Sequence, residues 1–216
     1  VIRGSRPSIS RMGMLAGLTV FLGYALQMEG LARISATKSA FITGLNVPLV
    51  PLLEFLLFGR RPRIRALLAI PVGLTGLALL TGITRGVPLT LGDLLTVGCA
   101  FAWALQIVFV DRAAKGMSPI DLATNEAIPT LLLAGASTPL LGEFDLPLDS
   151  TVLAAAIYTG VLATVLAFSL QAWAQRVIPP ESAALGLMAE PVFAYLFSWV
   201  LLGETLSPVQ VLGGLL

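Results

Sequence analysis

The sequence predicts an all-α integral membrane protein, a polytopic helical bundle built from two inverted-topology repeats. Composition, the spacing of charges and an internal repeat support this prediction. Apolar residues make up 56% and charged residues 12% of the 216 positions, and the mean hydropathy is +0.92. A soluble domain carries about twice that charged fraction, so this chain has too few charges to cover a water-facing surface. Disorder is excluded because the apolar content is far too high.

Charged residues divide the chain into apolar runs. A helix needs about 20 mostly apolar residues to cross the hydrocarbon core. Seven runs approach this length, and an eighth begins near Pro208. The charges that bound the seven runs are Arg11 and Glu29, Lys38 and Glu54, Arg65 and Arg85, Asp93 and Asp111, Glu126 and Glu143, Asp149 and Arg176, and Glu181 and Glu204. Because lipid offers the backbone no hydrogen-bond partners, we expect each run to be helical.

The basic residues predict which ends of these runs face the cytoplasm. With the N-terminus inside, ten Lys and Arg residues fall on the cytoplasmic side and three on the other. The outer three are Arg33, Lys38 and Arg85, and the acidic segment GEFDLPLDS also falls outside. This distribution follows the positive-inside rule at every loop.

A gapless shift of 144 positions aligns two long segments of the chain. It carries Gln27 onto Gln171, Asn46 onto Glu190 and Gly59 onto Gly203. The first run then matches the sixth and the second matches the seventh, so the two copies must cross the membrane in opposite directions. Inverted repeats are typical of secondary transporters, with the substrate site near the midplane between them. The alternative is two similar apolar helix pairs without common ancestry.

Two segments resemble EamA-type members of the drug/metabolite transporter superfamily. The first is LQMEGLARISATKSAFITGLNVPLVPLL, and the second is ESAALGLMAEPVFAYLFSWVLLGETLSPVQVLGGLL. The second carries the family pattern at Glu190, Pro191, Gly203 and Glu204. The first departs from it, with Pro48 in place of a proline at position 47 and Arg60 after Gly59.

The resemblance implies a ten-helix bundle of two inverted five-helix repeats. On that template, residues 1–85 hold helices 3–5 of the first EamA repeat, and residues 86–216 hold helices 6–10 of the second. We therefore expect a fragment that lacks the first two helices and most of the last. It also implies a multi-pass protein of the plasma or inner membrane that exports or exchanges small metabolites, amino acids or drugs.

One polar stripe marks the second apolar run. Ser39, Thr43, Asn46 and Glu54 fall within about 80° of one another on a regular helix, and Pro48 and Pro51 are expected to interrupt that helix. The stripe predicts a substrate-facing surface with Thr43 and Asn46 as contacts. Hydrogen bonding between helices is the alternative, and we favour it for Ser39.

Two carboxylates are candidates for coupling transport to protons. Glu190 precedes Pro191 and would bind a cationic group, exchange a proton or be paired structurally. Glu54 has the same interpretations, but its nearness to the cytoplasmic arginines favours a local ion pair.

Amides and an aromatic residue complete the predicted substrate cavity. Gln27 and Gln171 are repeat mates, and Trp103 and Gln106 share a face of their helix. Aromatic walls with a few amides suit an amphipathic metabolite.

The composition argues against the remaining classes of protein, such as enzymes and nucleic-acid-binding proteins. The chain has no histidine and one cysteine, Cys99, so no catalytic, metal or cofactor site is predicted, and we expect no enzyme. Nucleic acid is not an expected partner, because the basic residues form no continuous patch. A nucleotide-sugar or triose-phosphate carrier would need buried Lys or Arg to bind phosphate. A non-transporting membrane scaffold stays an alternative, and the oligomeric state is left open.

Overall fold

The computed structural model describes residues 9–81, 89–141, 149–202 and 207–216. These residues form helices joined by short connections, with no strand in the described ranges. The helices are α1 (Arg11–Leu31), α2 (Ala36–Thr43), α3 (Asn46–Phe58), α4 (Ile64–Thr81), α5 (Leu91–Ala114), α6 (Pro119–Leu141), α7 (Ser150–Tyr158), α8 (Ala167–Ala174), α9 (Pro180–Leu187), α10 (Glu190–Leu202) and α11 (Pro208–Leu215). A π-helical segment, Thr159–Leu166, joins α7 to α8.

Four helical stretches in the described residues are long and apolar enough to cross a membrane. They are Arg11–Leu31, Lys38–Phe58, Leu91–Ala114 and Ser150–Ala174, with a shorter apolar helix at Ile64–Leu79. Each coincides with one of the predicted runs, and the remaining runs form α6 and the pair α9–α10. The chain is an all-α polytopic membrane protein, as its composition predicts.

The second run is interrupted between α2 and α3, at Gly44 and Leu45. Pro48 has no N–H with which to continue the helical ladder, and the Gly44 carbonyl instead accepts from Val47 N–H at 3.2 Å. Leu45 N–H likewise reaches back only three residues, to the Ile42 carbonyl. The prediction that Pro51 also interrupts the helix was wrong: Pro51 lies buried within continuous α3.

The seventh run is interrupted at the same distance from the first residue of its helix, α9, as the second run is from the first residue of α2. Met188 N–H donates to the Leu185 carbonyl and Ala189 N–H to the Gly186 carbonyl, which are three-residue steps. The bounds of α9 and α10, Pro180–Leu187 and Glu190–Leu202, are those of α2 and α3 moved by 144 positions. The first residues of α4 and α11, Ile64 and Pro208, differ by the same amount.

α6 begins earlier than the sequence predicts. The predicted run starts after Glu126, whereas the helix starts at Pro119. The Ser118 hydroxyl accepts from Asp121 N–H at 3.1 Å, and Pro119 suits the first helical position. This early start places Asn125 and Glu126 inside the helix, where both are about 1% exposed.

Contacts divide the chain into two compact units. The first comprises residues 1–21 and 109–179, and the second residues 22–108 and 180–216. In the first, α6 packs against α8 and the π segment, and an apolar core includes Ala16, Val110 and Leu122. In the second, α4 packs against α2, α3, α9 and α11, and the core includes Val50, Ile70, Ile107 and Ala184.

Close contacts give the directions of several helices within the second unit. Lys38 lies beside Asp93, and Thr43 lies beside Cys99, so α2 and α5 run parallel. Arg63 lies beside Glu181, and Gly73 packs on Met188. α4 and α9 therefore run in the same direction.

Candidate functional site

Two predicted site residues, Thr43 and Trp103, lie where α1, α2 and α5 meet in the second unit. Tyr24 of α1 and Trp103 of α5 pack edge to face, with ring centroids 5.1 Å apart and an interplanar angle of 89°. The approach is tight at Gly23, where an added methyl group would lie 3.0 Å from the Trp103 indole. α1 thus carries an aromatic ring against Trp103 one turn before Gln27.

Thr43 joins this group from the last turn of α2. Its side chain and that of Trp103 both lie beside the buried Cys99 thiol of α5. One turn earlier on α2, Ser39 is 1% exposed, and its hydroxyl has no hydrogen-bond partner among the described residues. Thr43 therefore faces α5, and the role of the predicted stripe in binding substrate stays a prediction.

The other predicted amides lie on α1, α3 and α5. Gln106 lies one turn beyond Trp103 on α5 and is 1% exposed. Gln27 and Asn46 are half-buried, and Asn46 is the first residue of α3, directly after the helix interruption. Glu190 occupies the equivalent position as the first residue of α10 and is exposed.

Gln171 lies in the first unit. Its amide nitrogen donates to the Gln175 side-chain oxygen at 3.0 Å, and Gln175 is fully buried. The amide pair links successive turns at the end of α8. Its assignment to the substrate cavity stays a prediction.

Glu54 is buried on α3 with an arginine nearby. Its carboxylate lies 3.6 Å from the Arg60 guanidinium, which is about half exposed. This geometry matches the local ion pair that the sequence favours for Glu54. The alternative role of Glu54 in proton coupling stays a prediction, as does that of Glu190.

One buried ion pair was missed as a functional feature. Lys38 Nζ lies 2.7 Å from one Asp93 carboxylate oxygen and 2.8 Å from the other. The Asp93 side chain is fully buried, and that of Lys38 is 17% exposed. In the sequence these two charges only mark the starts of apolar runs. Since both runs are predicted to start on the outer side, their pairing could have been proposed.

A second missed cluster joins α1 and α6 in the first unit. Ser10 N–H donates to the Asn125 side-chain oxygen at 2.8 Å, and the Thr130 hydroxyl donates to the Gly17 carbonyl at 2.9 Å. Buried Glu126 lies between these two contacts along α6. Asn125 and Glu126 were missed because they fall at or before the edge of the predicted run.

These features define a polytopic helical membrane protein with two interrupted helices and polar groups buried along its apolar helices. The EamA-like transporter family matches residues 2–82 and 90–216. The chain belongs to this family.

Individual relatives agree with this assignment. The chain is 30% identical over 204 residues to an uncharacterized transporter of Archaeoglobus fulgidus, an alignment covering 94% of the chain and 65% of that protein. The chain thus spans less than two thirds of that relative's length. A second uncharacterized transporter of the same organism is 28% identical, with 93% of this chain and 72% of that protein covered.

Two further likenesses add a named exporter and a fold. The threonine/homoserine exporter RhtA of Escherichia coli K12 is 29% identical over 121 residues, which cover 56% of this chain and 40% of RhtA. A chain in a solved crystal structure superposes with a TM-score of 0.71 at 18% identity, covering 96% of this chain and 84% of that one. This last likeness shows the fold alone.

Proposed function

We propose that this chain is part of a plasma-membrane transporter that moves small polar or amphipathic metabolites outward by alternating access. The observation that carries the proposal is the pair of interrupted helices, α2–α3 and α9–α10, whose bounds differ by 144 positions. Interrupted helices at corresponding positions of two repeats are the best sequence pointer to a transporter's binding site. Family membership supports the same function.

The directions of the helices support an inverted relation between the two copies. α3 and α4 pack together and are joined by residues 59–63, so the chain reverses between them. Because α4 and α9 run in the same direction, α3 and α9 run in opposite directions. We extend this to the proposed repeats at residues 1–85 and 86–216, which would rock against each other around the substrate.

Amino acids are the first substrate class to test. RhtA, the relative named as a threonine/homoserine exporter, shares 29% identity over 121 residues. The residues at the α1–α2–α5 junction offer a hydroxyl, amides and aromatic rings, which suit a small molecule with polar and apolar parts. We assign substrate contact to Gln27, Thr43, Asn46, Trp103 and Gln106, with Gln171 and Glu190 from the second repeat.

Efflux from cells that express the protein tests the proposal. Cells are loaded with labelled threonine, homoserine and a panel of other amino acids, and saturable export is followed with and without a protonophore. We expect Thr43→Val to reduce export about tenfold, the effect of losing roughly 1.4 kcal/mol of transition-state stabilisation. Thr124→Val is the matched control, since Thr124 is exposed and its hydroxyl bonds the Ile120 carbonyl of its own helix.

The outcomes separate the alternatives. Export of one compound that Thr43→Val lowers and Thr124→Val leaves unchanged supports transport through the junction of α1, α2 and α5. No export of any compound by correctly inserted protein would instead favour a membrane scaffold.

A further inference from the structure

We propose that the Lys38–Asp93 ion pair is the outer latch of the substrate pathway, holding α2 against α5 when the pathway is closed to the outside. The inference rests on the proposed transport function. It assigns a conformational role to two residues at the helix starts, away from the predicted contacts with substrate.

The pair is built as a fixed contact between two helix starts. Asp93 accepts hydrogen bonds from Thr90 N–H at 2.6 Å and from the Thr90 hydroxyl at 3.0 Å. Lys38 sits in the first turn of α2, where its N–H donates to the Ser35 side chain at 3.3 Å. Because Asp93 is held by its own helix start, its position is set before Lys38 reaches it. The attraction is strong because the carboxylate is shielded from water.

The latch lies on the outer side of the proposed substrate contacts. Below it along the two parallel helices come Ser39 and Thr43 on α2, and Cys99 and Trp103 on α5. By the predicted sidedness, Ser39, Thr43 and Cys99 lie in the outer halves of their apolar runs, and Trp103 lies near the middle of α5. Separating Lys38 from Asp93 would free the start of α2 to move away from α5 and open a route to Cys99.

An ion pair on the opposite side is weaker in the same structure. Arg63 lies 3.9 Å from Glu181, with the arginine side chain 71% exposed. It joins the approach to α4 with the first turn of α9, the repeat mate of α2. The close, buried pair lies at the outer end, and the long, exposed pair lies at the inner end. This difference is what we expect of a molecule that is closed on the outside. Exposed pairs contribute little to stability.

Cys99 provides a reporter for the latch, since it is fully buried. The protein is labelled in right-side-out and inside-out vesicles with a membrane-impermeant methanethiosulfonate reagent, with Cys99→Ser as the blank. We expect Lys38→Gln to speed labelling from the outside about tenfold or more, as a minor open state becomes a major one. Glu29→Gln is the matched control, because it removes the exposed Arg33–Glu29 pair on the same side.

The charge-reversed double variant, Lys38→Asp with Asp93→Lys, is expected to restore slow labelling. The proposal is overturned if Cys99 in Lys38→Gln is labelled at the same rate as in Glu29→Gln. It is also overturned if labelling is faster only from the inside. If Lys38→Gln does not insert, the pair Lys38→Cys and Asp93→Cys is made in a Cys99→Ala background. A short bifunctional thiol cross-linker should then stop efflux until it is reduced, and continued efflux from cross-linked protein contradicts the latch.

These outcomes are distinct from failure of transport itself. If the unmodified protein exports substrate and Lys38→Gln labels at Cys99 no faster, the latch proposal is wrong and the transport function stands. If no inserted protein exports substrate but Cys99 still labels faster in Lys38→Gln, the proposed transport function is wrong. The separation of α2 from α5 would then stand without it.

Discussion

At Gly17, α1 comes so close to α6 that no side chain fits between them. A methyl group there would overlap Pro129 and the backbone carbonyl of Glu126. The close approach allows the Thr130 hydroxyl to donate to the Gly17 carbonyl as well as to that of Glu126. Small residues serve this purpose in membrane helices, where close packing replaces the hydrophobic effect as the source of stability.

We expect Gly17→Ala to lower the thermal midpoint of the detergent-solubilised protein, because overpacking a tight contact costs about 1–3 kcal/mol. The matched control is Gly135→Ala on α6, where an added methyl group meets nothing within 4 Å. That control should leave the midpoint unchanged or raise it, since alanine favours helix over glycine by roughly 1 kcal/mol. Equal midpoints for the two variants would contradict the close packing of α1 on α6.

The interruption between α2 and α3 shows how one residue shapes a whole element. Pro48 removes a single donor, and the hydrogen bonds around Gly44 and Leu45 shorten to three-residue steps. Pro51 and Pro71 lie inside continuous helices, so a proline alone does not predict where a membrane helix breaks. Neighbouring groups re-satisfy the freed carbonyl at some prolines and leave an interruption at others.

Replacing Pro48 tests whether the interruption is needed for transport. Pro48→Ala supplies an N–H that can donate to the Gly44 carbonyl, so we expect slower amide hydrogen exchange at residues 45–49 and unchanged or higher thermal stability. Efflux should fall about tenfold, equivalent to roughly 1.4 kcal/mol on the transport barrier. Pro71→Ala, at an exposed position within α4, is the control and should export normally. Full export by Pro48→Ala would show that the interruption is dispensable.

For the molecule as a whole, the placement of charges and the helix contacts point to the same arrangement in the bilayer. The basic connection at residues 59–63 and the connection before α5 are predicted to lie on opposite sides. The parallel course of α2 and α5 agrees with this, because both predicted runs start on the outer side.

Cysteine labelling measures this sidedness directly. In a Cys99→Ala background, Arg61→Cys should react with an impermeant reagent only in inside-out vesicles, because it lies in the basic connection. Leu89→Cys should react only from the outside, and Leu89 is 83% exposed. The two positions serve as controls for each other, and labelling of both from one side would contradict the predicted topology.

The amino-acid sequence was enough to predict an all-helical membrane protein, its family and most of its helix positions. Hydropathy over some 20 residues is a local property, and lipid leaves the backbone few alternatives to a helix. Family motifs such as Glu190–Pro191 and Gly203–Glu204 are local as well.

Pairing between distant residues required the tertiary structure. Lys38 and Asp93 are 55 positions apart, and only the packing of α2 on α5 brings their charges together. The same packing sets Thr43 and Trp103 beside Cys99. Glu190, in contrast, is exposed at the start of α10. Burial and ion pairing depend on which helix faces which, and this is decided by close contacts such as those at Gly17 and Gly23. Helical periodicity gives the face of each helix and leaves its neighbour undetermined.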